Sequence, residues 1–234
     1  NEGLPCQDKT ATFRSSDKKS GGIAVADGSG SSLHSQFGAH AAVSIILPFI
    51  ETRFNFFYHN PSKAREIIIQ FIIEKLQSIA LGKSCDLNDL ASTLMFVYVQ
   101  RSKKSIRFIA GNIGDGVIAM AENKQINAIS LPSKGEFANT TYFLTSPEAK
   151  SFLKIYTGIL PIPIGFILMT DGAAETLYMK KTARLNQAFC NQMLNWFDRY
   201  SQEKINKLVK TNLEKGIFKE VTYDDCGIAI LKVT

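Results

Sequence analysis

The sequence contains few of the residues that build zinc sites, disulfide frameworks or membrane spans. It has three histidines in 234 residues and four cysteines, which are Cys6, Cys85, Cys190 and Cys226. These cysteines are far apart and form no Cys-x-x-Cys pair, so we expect neither a zinc site nor disulfides, but reduced thiols as in the cytoplasm. No apolar run reaches the roughly 18 residues that a membrane-spanning helix needs. No signal peptide is visible, so we expect no membrane partner.

The excess of positive charge is small and scattered along the chain. Lys and Arg total 27 against 21 Asp and Glu, which gives a formal charge of +6. Basic pairs such as Lys18-Lys19 and Lys103-Lys104 are not joined into a stripe interleaved with aromatic residues, so we expect no nucleic-acid partner. The length and the 45% hydrophobic content predict one globular domain over residues 1–234.

Two stretches near the N-terminal third have the spacing of amphipathic helices. Apolar residues recur at helical intervals over residues 36–54, where Pro48 should end or kink the helix. A second helix is expected after Asn60-Pro61-Ser62, with Ser62 as its candidate cap. Each has one apolar face, which is typical of a helix that lies on a sheet.

Short β-prone runs separated by turns predict antiparallel strands. A meander is expected over residues 93–120, and a further strand near Tyr142–Leu144 within an otherwise irregular region. Two more helical stretches follow residue 184 before a last strand at 226–231. Paired helices that alternate with antiparallel strands favour an α+β fold in which helices cover sheets.

Three aspartates lie at the ends of apolar, β-prone runs. Asp27 follows one such run and precedes a Gly/Ser stretch, Asp171 follows another, and Asp224 opens the last strand. If the last strand is antiparallel to the other two, all three carboxylates reach the same sheet edge. Asp115, in the Gly-Asp-Gly corner of the meander, can join them, and Glu175 lies one helical turn beyond Asp171.

Carboxylates gathered in this way favour a hard divalent cation. Without a cation they would repel one another and their pKa values would rise. Ligation by oxygen alone selects Mg²⁺ or Mn²⁺ over zinc, and two such ions can share a bridging carboxylate and activate a water. The alternative is that each acid only shapes a turn and is solvated separately, which is the better interpretation of any single Asp-Gly pair.

Four short motifs, taken in order, resemble the metal-dependent serine/threonine phosphatases of the PPM (PP2C) family. They are Ala26-Asp27-Gly28-Ser29-Gly30, Gly111-Asn112-Ile113-Gly114-Asp115-Gly116, Met169-Thr170-Asp171-Gly172 and Asp224-Asp225-Cys226-Gly227. Pro5-Cys6-Gln7-Asp8 looks like the opening acid motif of a bacterial branch of that family. The resemblance covers essentially the whole chain.

The resemblance implies a fold, a function and a set of ligands. The fold would be a four-layer α-β-β-α sandwich of two antiparallel sheets, with Mn²⁺ or Mg²⁺ at one end. Asp27 would bridge two ions, Gly28 would offer its carbonyl to one of them, and Asp171 and Asp224 would bind the other. Asp115, with Glu175 second, would match the third-ion position of members that have one, and Asp8 would hold metal waters. The substrate would be a protein phosphorylated on serine or threonine by a kinase, in the cytoplasm.

The chain departs from the family pattern at two positions. Eukaryotic relatives carry a histidine after the Asp-Gly, proposed as the general acid, whereas this chain has Ser29, as in bacterial members that also lack it. Within the given sequence no phosphate-binding arginine precedes Gln7, so this arginine is either upstream of Asn1 or absent, and Arg14 is the nearest candidate. His34 and His40 flank the start of a helix and are better interpreted as helix residues than as catalytic ones. These departures keep open a second function, a pseudophosphatase that binds a phosphoprotein or partner without turnover.

Overall fold

The computed structural model describes residues 6–123, 125–131, 141–179, 181–215, 218 and 221–234. The N-terminal part contains two strands and two long helices: β1 Lys9–Arg14, β2 Ser20–Ala26, α1 Ser35–His59 and α2 Pro61–Lys83. A 3₁₀ turn then leads into four strands: β3 Leu94–Arg101, β4 Ser105–Ile113, β5 Val117–Glu122 and β6 Gln125–Ser130. The remaining elements are α3 Ala149–Phe152, β7 Lys154–Pro161, β8 Ile164–Met169, α4 Asp171–Leu177, β9 Tyr178–Met179, β10 Arg184–Leu185, α5 Gln187–Trp196, α6 Gln202–Lys215 and β11 Ile228–Val233.

The strands form two main sheets in which every neighbouring pair is antiparallel. The first has the order β1-β2-β3-β4-β7 and the second the order β11-β8-β5-β6. The meander predicted from the sequence is present, although its strands β3 and β4 belong to the first sheet and β5 to the second. The corner that carries Asp115 therefore connects the two sheets.

Three apolar cores hold four layers together. The alternation along β2 shows how: Ala24 and Ala26 lie in the core between the first sheet and α1 and α2, whereas Ile23 and Val25 lie in the core between the two sheets. A third core packs the other face of the second sheet against α4, α5 and α6. This arrangement confirms the predicted α+β sandwich.

Several local predictions need correction. Tyr142–Leu144 is not a strand but lies in a turn-rich segment, where the Leu144 amide donates a hydrogen bond to the Ser92 carbonyl over 2.8 Å. Helix α1 does not end at Pro48 but continues to His59. Burial of neighbouring residues such as Ile50 compensates there for the hydrogen bond that proline cannot donate.

The start of α2 also differs from the prediction. Asn60 occupies the N-cap position and Pro61 is the first helical residue, so Ser62 is not the cap. Proline suits the first position of a helix because the amide it lacks would have no partner within the helix.

The ends of β2, β8 and β11 meet at one end of the sandwich. Strand β11 is antiparallel to β8, with Ile228 opposite Met169, so the segments carrying Asp224 and Asp171 adjoin in the second sheet. Asp27 follows β2, which belongs to the first sheet. The strand pattern suggested that the three aspartates share one sheet edge. They lie instead at the ends of two sheets that pack against each other.

Candidate metal centre

The backbone of Asp27 is fixed by hydrogen bonds to Thr93, the residue before β3. The Asp27 amide donates to the Thr93 hydroxyl over 2.9 Å, and the Thr93 amide donates to the Asp27 carbonyl over 2.8 Å. Gly28 forms a β-bridge with Ser92. A Cβ at Gly28 would lie 2.9 Å from the Ser35 hydroxyl, so α1 packs too closely for a larger residue. Asp27 is thus presented from a rigid turn.

Asp171 is the first residue of α4 and accepts a hydrogen bond from the Gly172 amide over 2.8 Å. A Cβ at Gly172 would lie 2.2 Å from the Asp225 carbonyl oxygen and 3.2 Å from the Cβ of Asp224. The start of α4 therefore packs directly against the segment that carries Asp224. Burial, then the charges of Asp115 and Asp224, raises the pKa of Asp171 to about 6.

Asp8 is buried next to Asp27 and is held by a threonine. The Thr170 hydroxyl donates to Asp8 Oδ2 over 2.7 Å and accepts a hydrogen bond from the Gly227 amide over 2.8 Å. The second oxygen, Oδ1, is buried and has no hydrogen-bond partner among the described residues. Burial raises the pKa of Asp8 above its usual range, although the hydrogen bond from Thr170 opposes this rise.

Asp27, Asp115 and Asp171 form the tightest acidic group. Each offers a carboxylate oxygen, and these three oxygens lie within 4.8 Å of one another. All three residues are partly buried. Burial, contact with Asp8 and the charges of Asp171 and Asp115 raise the pKa of Asp27 well above its usual range. These three acids therefore converge, and in the absence of a cation their arrangement is electrostatically unfavourable.

Asp224 and Glu175 lie outside this group of three. Asp224 is exposed, and its Oδ1 accepts a hydrogen bond from the Asp225 amide over 2.9 Å. Its charge nevertheless contributes to the raised pKa of Asp171, so the two acids lie within electrostatic reach. Glu175 is exposed on α4, one turn after Asp171.

His34 and His40 lie at the start of helix α1, as expected for residues without a catalytic role, and Arg14 lies on strand β1. His34 is the N-cap residue of α1, with its ring centre 6.1 Å from that of Phe37, and His40 is exposed on the same helix. Arg14 is exposed at the end of β1, paired with Gly21, whereas the start of that strand pairs with Ala26 beside Asp27. Arg14 is thus at the opposite end of the strand from the acids.

Sequence reasoning missed four residues that hold the acids in place. Thr93 and Thr170 are described above, Thr141 donates to Asp115 Oδ2 over 2.7 Å, and Asp225 Oδ2 accepts a hydrogen bond from the Gln7 amide over 2.6 Å. Thr170 and Asp225 had a signal in the sequence, because each adjoins a predicted site residue. Pro5, the first residue of the opening acid motif, lies outside the described residues.

The donor set fits a hard divalent cation. It consists of carboxylate oxygens, without a histidine or a thiol among the three grouped acids, and such oxygen sets suit Mg²⁺ or Mn²⁺. The buried Oδ1 of Asp8, which has no partner among the described residues, suits a hydrogen bond from a metal-bound water. A cation would also remove the repulsion that raises the pKa values of Asp27 and Asp171.

The raised pKa values predict how the stability of the metal-free protein depends on pH. Asp171 has a pKa of about 6 when folded, against roughly 4 for an unfolded aspartate, and the pKa values of Asp8 and Asp27 are raised as well. The folded state therefore binds more protons between these values, and this contribution to stability is full below about pH 4 and is lost as the pH rises through about 6. We expect the melting temperature in the presence of chelator to rise on acidification from neutral pH to about 5.

Divalent cations should reverse this trend. They bind the ionised acids, so millimolar Mn²⁺ or Mg²⁺ should raise the melting temperature most above about pH 6 and least at about pH 5. Differential scanning fluorimetry over both pH and metal concentration measures the two effects together. A melting temperature that responds to neither would contradict the electrostatic account of the cluster.

Comparison with known families and solved structures shows what the chain resembles in sequence and fold. A family model described as Protein phosphatase 2C matches residues 1–214. No curated protein sequence matches the chain. No described helix is both long enough and apolar enough to cross a membrane.

Three solved structures illustrate the similarity of the fold. The S. agalactiae serine/threonine phosphatase is 13% identical with a TM-score of 0.62, over 98% of this chain and 94% of that one. The serine/threonine phosphatase Stp1 from Staphylococcus aureus is 13% identical with a TM-score of 0.52, over 99% and 90%. RsbX in complex with magnesium is 18% identical with a TM-score of 0.56, over 100% and 90%.

Proposed function

Because the chain belongs to the protein phosphatase 2C family, we propose that it hydrolyses phosphoserine and phosphothreonine in proteins in a reaction that depends on Mn²⁺ or Mg²⁺. The observation that carries the proposal is the convergence of Asp27, Asp115 and Asp171, with oxygens within 4.8 Å of one another. The substrate would be a protein phosphorylated by a serine/threonine kinase. The four free cysteines support the cytoplasm as its location.

We assign the ligands as follows. Asp27, from the first sheet, would bridge two ions, with the carbonyl of Gly28 on one of them. Asp171 and Asp224, from the second sheet, would bind the other, and Asp115 with Glu175 would hold an outer ion. Bound ions would supply positive charge that lowers the pKa of an attacking water and neutralises the phosphoryl oxygens.

The residues of the chain contribute fixed positions and a hydrogen-bond acceptor. The bonds between Asp27 and Thr93 hold the proposed bridging carboxylate at the meeting point of the two sheets. Thr170 holds one oxygen of Asp8, which leaves its buried Oδ1 to accept a hydrogen bond from a water molecule. Attack would be direct and in line, without a phosphoenzyme. Ser29, where some relatives have a histidine, leaves protonation of the leaving group to water.

Release of phosphate from a phosphothreonine peptide tests this proposal against the pseudophosphatase. An enzyme releases phosphate with Mn²⁺ and stops when a chelator is added. A pseudophosphatase binds the same peptide in the presence of Mn²⁺, which fluorescence anisotropy detects, and releases no phosphate. The intact set of acids favours the enzyme, because a module that only binds would not require Asp27, Asp171 and Asp224 together.

Asp115 provides a further prediction. We expect Asp115→Ala to lower turnover while the two inner ions stay bound, because Asp115 is assigned to the outer ion. Asp115→Asn separates charge from shape, since asparagine forms the same Gly-x-Gly corner. Phosphate release at limiting Mn²⁺ and metal counting on the same samples measure both. Full activity of Asp115→Asn at limiting Mn²⁺ would remove Asp115 from the site.

A further inference from the structure

The corner that carries Asp115 has a backbone fixed independently of the aspartate side chain. Gly114 has a φ of 119°, and a Cβ there would lie 2.5 Å from the Thr93 side chain. On the interior side, Asn112 Nδ2 donates to the Gly116 carbonyl over 3.2 Å and to the Ser130 hydroxyl over 2.8 Å. What remains free is rotation of the Asp115 carboxylate about its own bonds.

Thr141 restricts that rotation. Its hydroxyl donates to Asp115 Oδ2 over 2.7 Å, and a hydrogen bond to an ionised acceptor is stronger than one between neutral groups. With Oδ2 held in this way, the carboxylate keeps one orientation and its other oxygen stays available to a cation.

The segment that supplies Thr141 is itself anchored to the site. Tyr142 stacks on Phe152 with ring centres 3.3 Å apart. The amide of the buried Leu144 donates a hydrogen bond to the Ser92 carbonyl. Ser92 is also the bridge partner of Gly28. The donor to Asp115 and the backbone beside Asp27 are thus connected through one short stretch of chain.

We propose that Thr141 is a positioning residue that sets the affinity of the cation assigned to Asp115. The proposal rests on the metal assignment made under the proposed function. Partners of metal-binding side chains typically change metal affinity by about 10- to 100-fold when they are removed. Thr141→Val keeps the shape of the side chain but removes the donor, so it should weaken the outer ion by about this factor and leave the two inner ions unchanged.

Direct binding of Mn²⁺ to the full chain tests the proposal without relying on activity. Isothermal titration with Mn²⁺ is compared for the wild type, Thr141→Val, Thr141→Ser and the control Thr157→Val. Thr157 lies in the middle of β7 opposite Ile109. We expect the weakest Mn²⁺ step to shift only in Thr141→Val, with Thr141→Ser and Thr157→Val like the wild type.

Several results would overturn the proposal. These are equal Mn²⁺ binding by Thr141→Val and wild type, equal losses in Thr141→Val and Thr141→Ser, or a wild type that binds no outer ion. If Thr141→Val does not fold, Thr141→Ala takes its place, and failure of both variants to fold would assign Thr141 a structural role instead.

Kinetics separate this proposal from the proposed function. If the protein is a phosphatase, Thr141→Val should raise the Mn²⁺ concentration for half-maximal activity while kcat at saturating Mn²⁺ approaches the wild-type value. If the wild type binds Mn²⁺ but releases no phosphate, the proposed function fails, and the binding comparison still decides the role of Thr141.

Discussion

Replacing Asp171 by asparagine should abolish Mn²⁺-dependent phosphate release and, at the same time, stabilise the metal-free protein. The two effects have opposite signs because they come from the same negative charge. In catalysis that charge would hold an ion that contributes several kcal/mol to the transition state, so its removal should lower kcat/KM by about 10³-fold or more.

In the metal-free fold the same charge is unfavourable. Burial and the charges of Asp115 and Asp224 raise the pKa of Asp171 to about 6, which is roughly two units above an ordinary aspartate. Asparagine removes the cost of burying this charge and also the repulsion, so near neutral pH we expect about 1 to 3 kcal/mol of added stability, or a few degrees in melting temperature. Asparagine can still accept the hydrogen bond from the Gly172 amide.

Asp198→Asn is the matched control for this change. Asp198 is an exposed carboxylate that pairs over 2.6 Å with Lys232, whose side chain is only 14% exposed, so loss of this pair should slightly destabilise the fold. It should keep full activity and gain no stability. An Asp171→Asn protein that retains wild-type kcat/KM would disprove the metal assignment, and one that melts lower without metal would disprove the repulsion.

The second large effect should distinguish two adjacent aspartates. We expect Asp224→Asn to lower kcat/KM by about 10²- to 10³-fold and Asp225→Asn to lower it only a few-fold. Asp224 faces Asp171 across the start of α4 and contributes to its raised pKa. Asp225 instead accepts a hydrogen bond from the Gln7 amide, which an asparagine oxygen can also accept.

Phosphate release and Mn²⁺ binding should be measured on both variants in parallel with melting curves. The expected result is that Asp224→Asn loses Mn²⁺ affinity and activity together, whereas Asp225→Asn retains both. A larger loss in Asp225→Asn than in Asp224→Asn would mean that Asp225, and not Asp224, is the metal ligand.

The site residues that could be predicted from the sequence are carboxylates that directly follow an apolar, β-prone run. Asp27 and Asp171 end apolar strands, and this change is visible without any structure. Asp8 precedes only a short, half-exposed strand, and its place came from the resemblance to a family. The sheet to which each strand belongs could not be predicted, because alternation of period two is the same in both sheets.

The elements and contacts that were missed have weak local signals. Strand β7 lies at an edge of the first sheet and is largely half-exposed, so it lacks a clear alternation of apolar and polar residues. Thr93 and Thr141 act through hydrogen bonds to aspartates distant in sequence. Threonine is common in strands and turns for other reasons, so its type alone does not indicate this role.

The most direct measurement of the central claim is a titration of metal-free protein with Mn²⁺ in which bound metal and phosphate release are read on the same sample. We expect no release from a phosphothreonine peptide without metal, activity that rises as the Asp27 and Asp171 sites fill, and complete loss when a chelator removes the ions. A folded protein with two Mn²⁺ ions bound that releases no phosphate from such peptides would contradict the account.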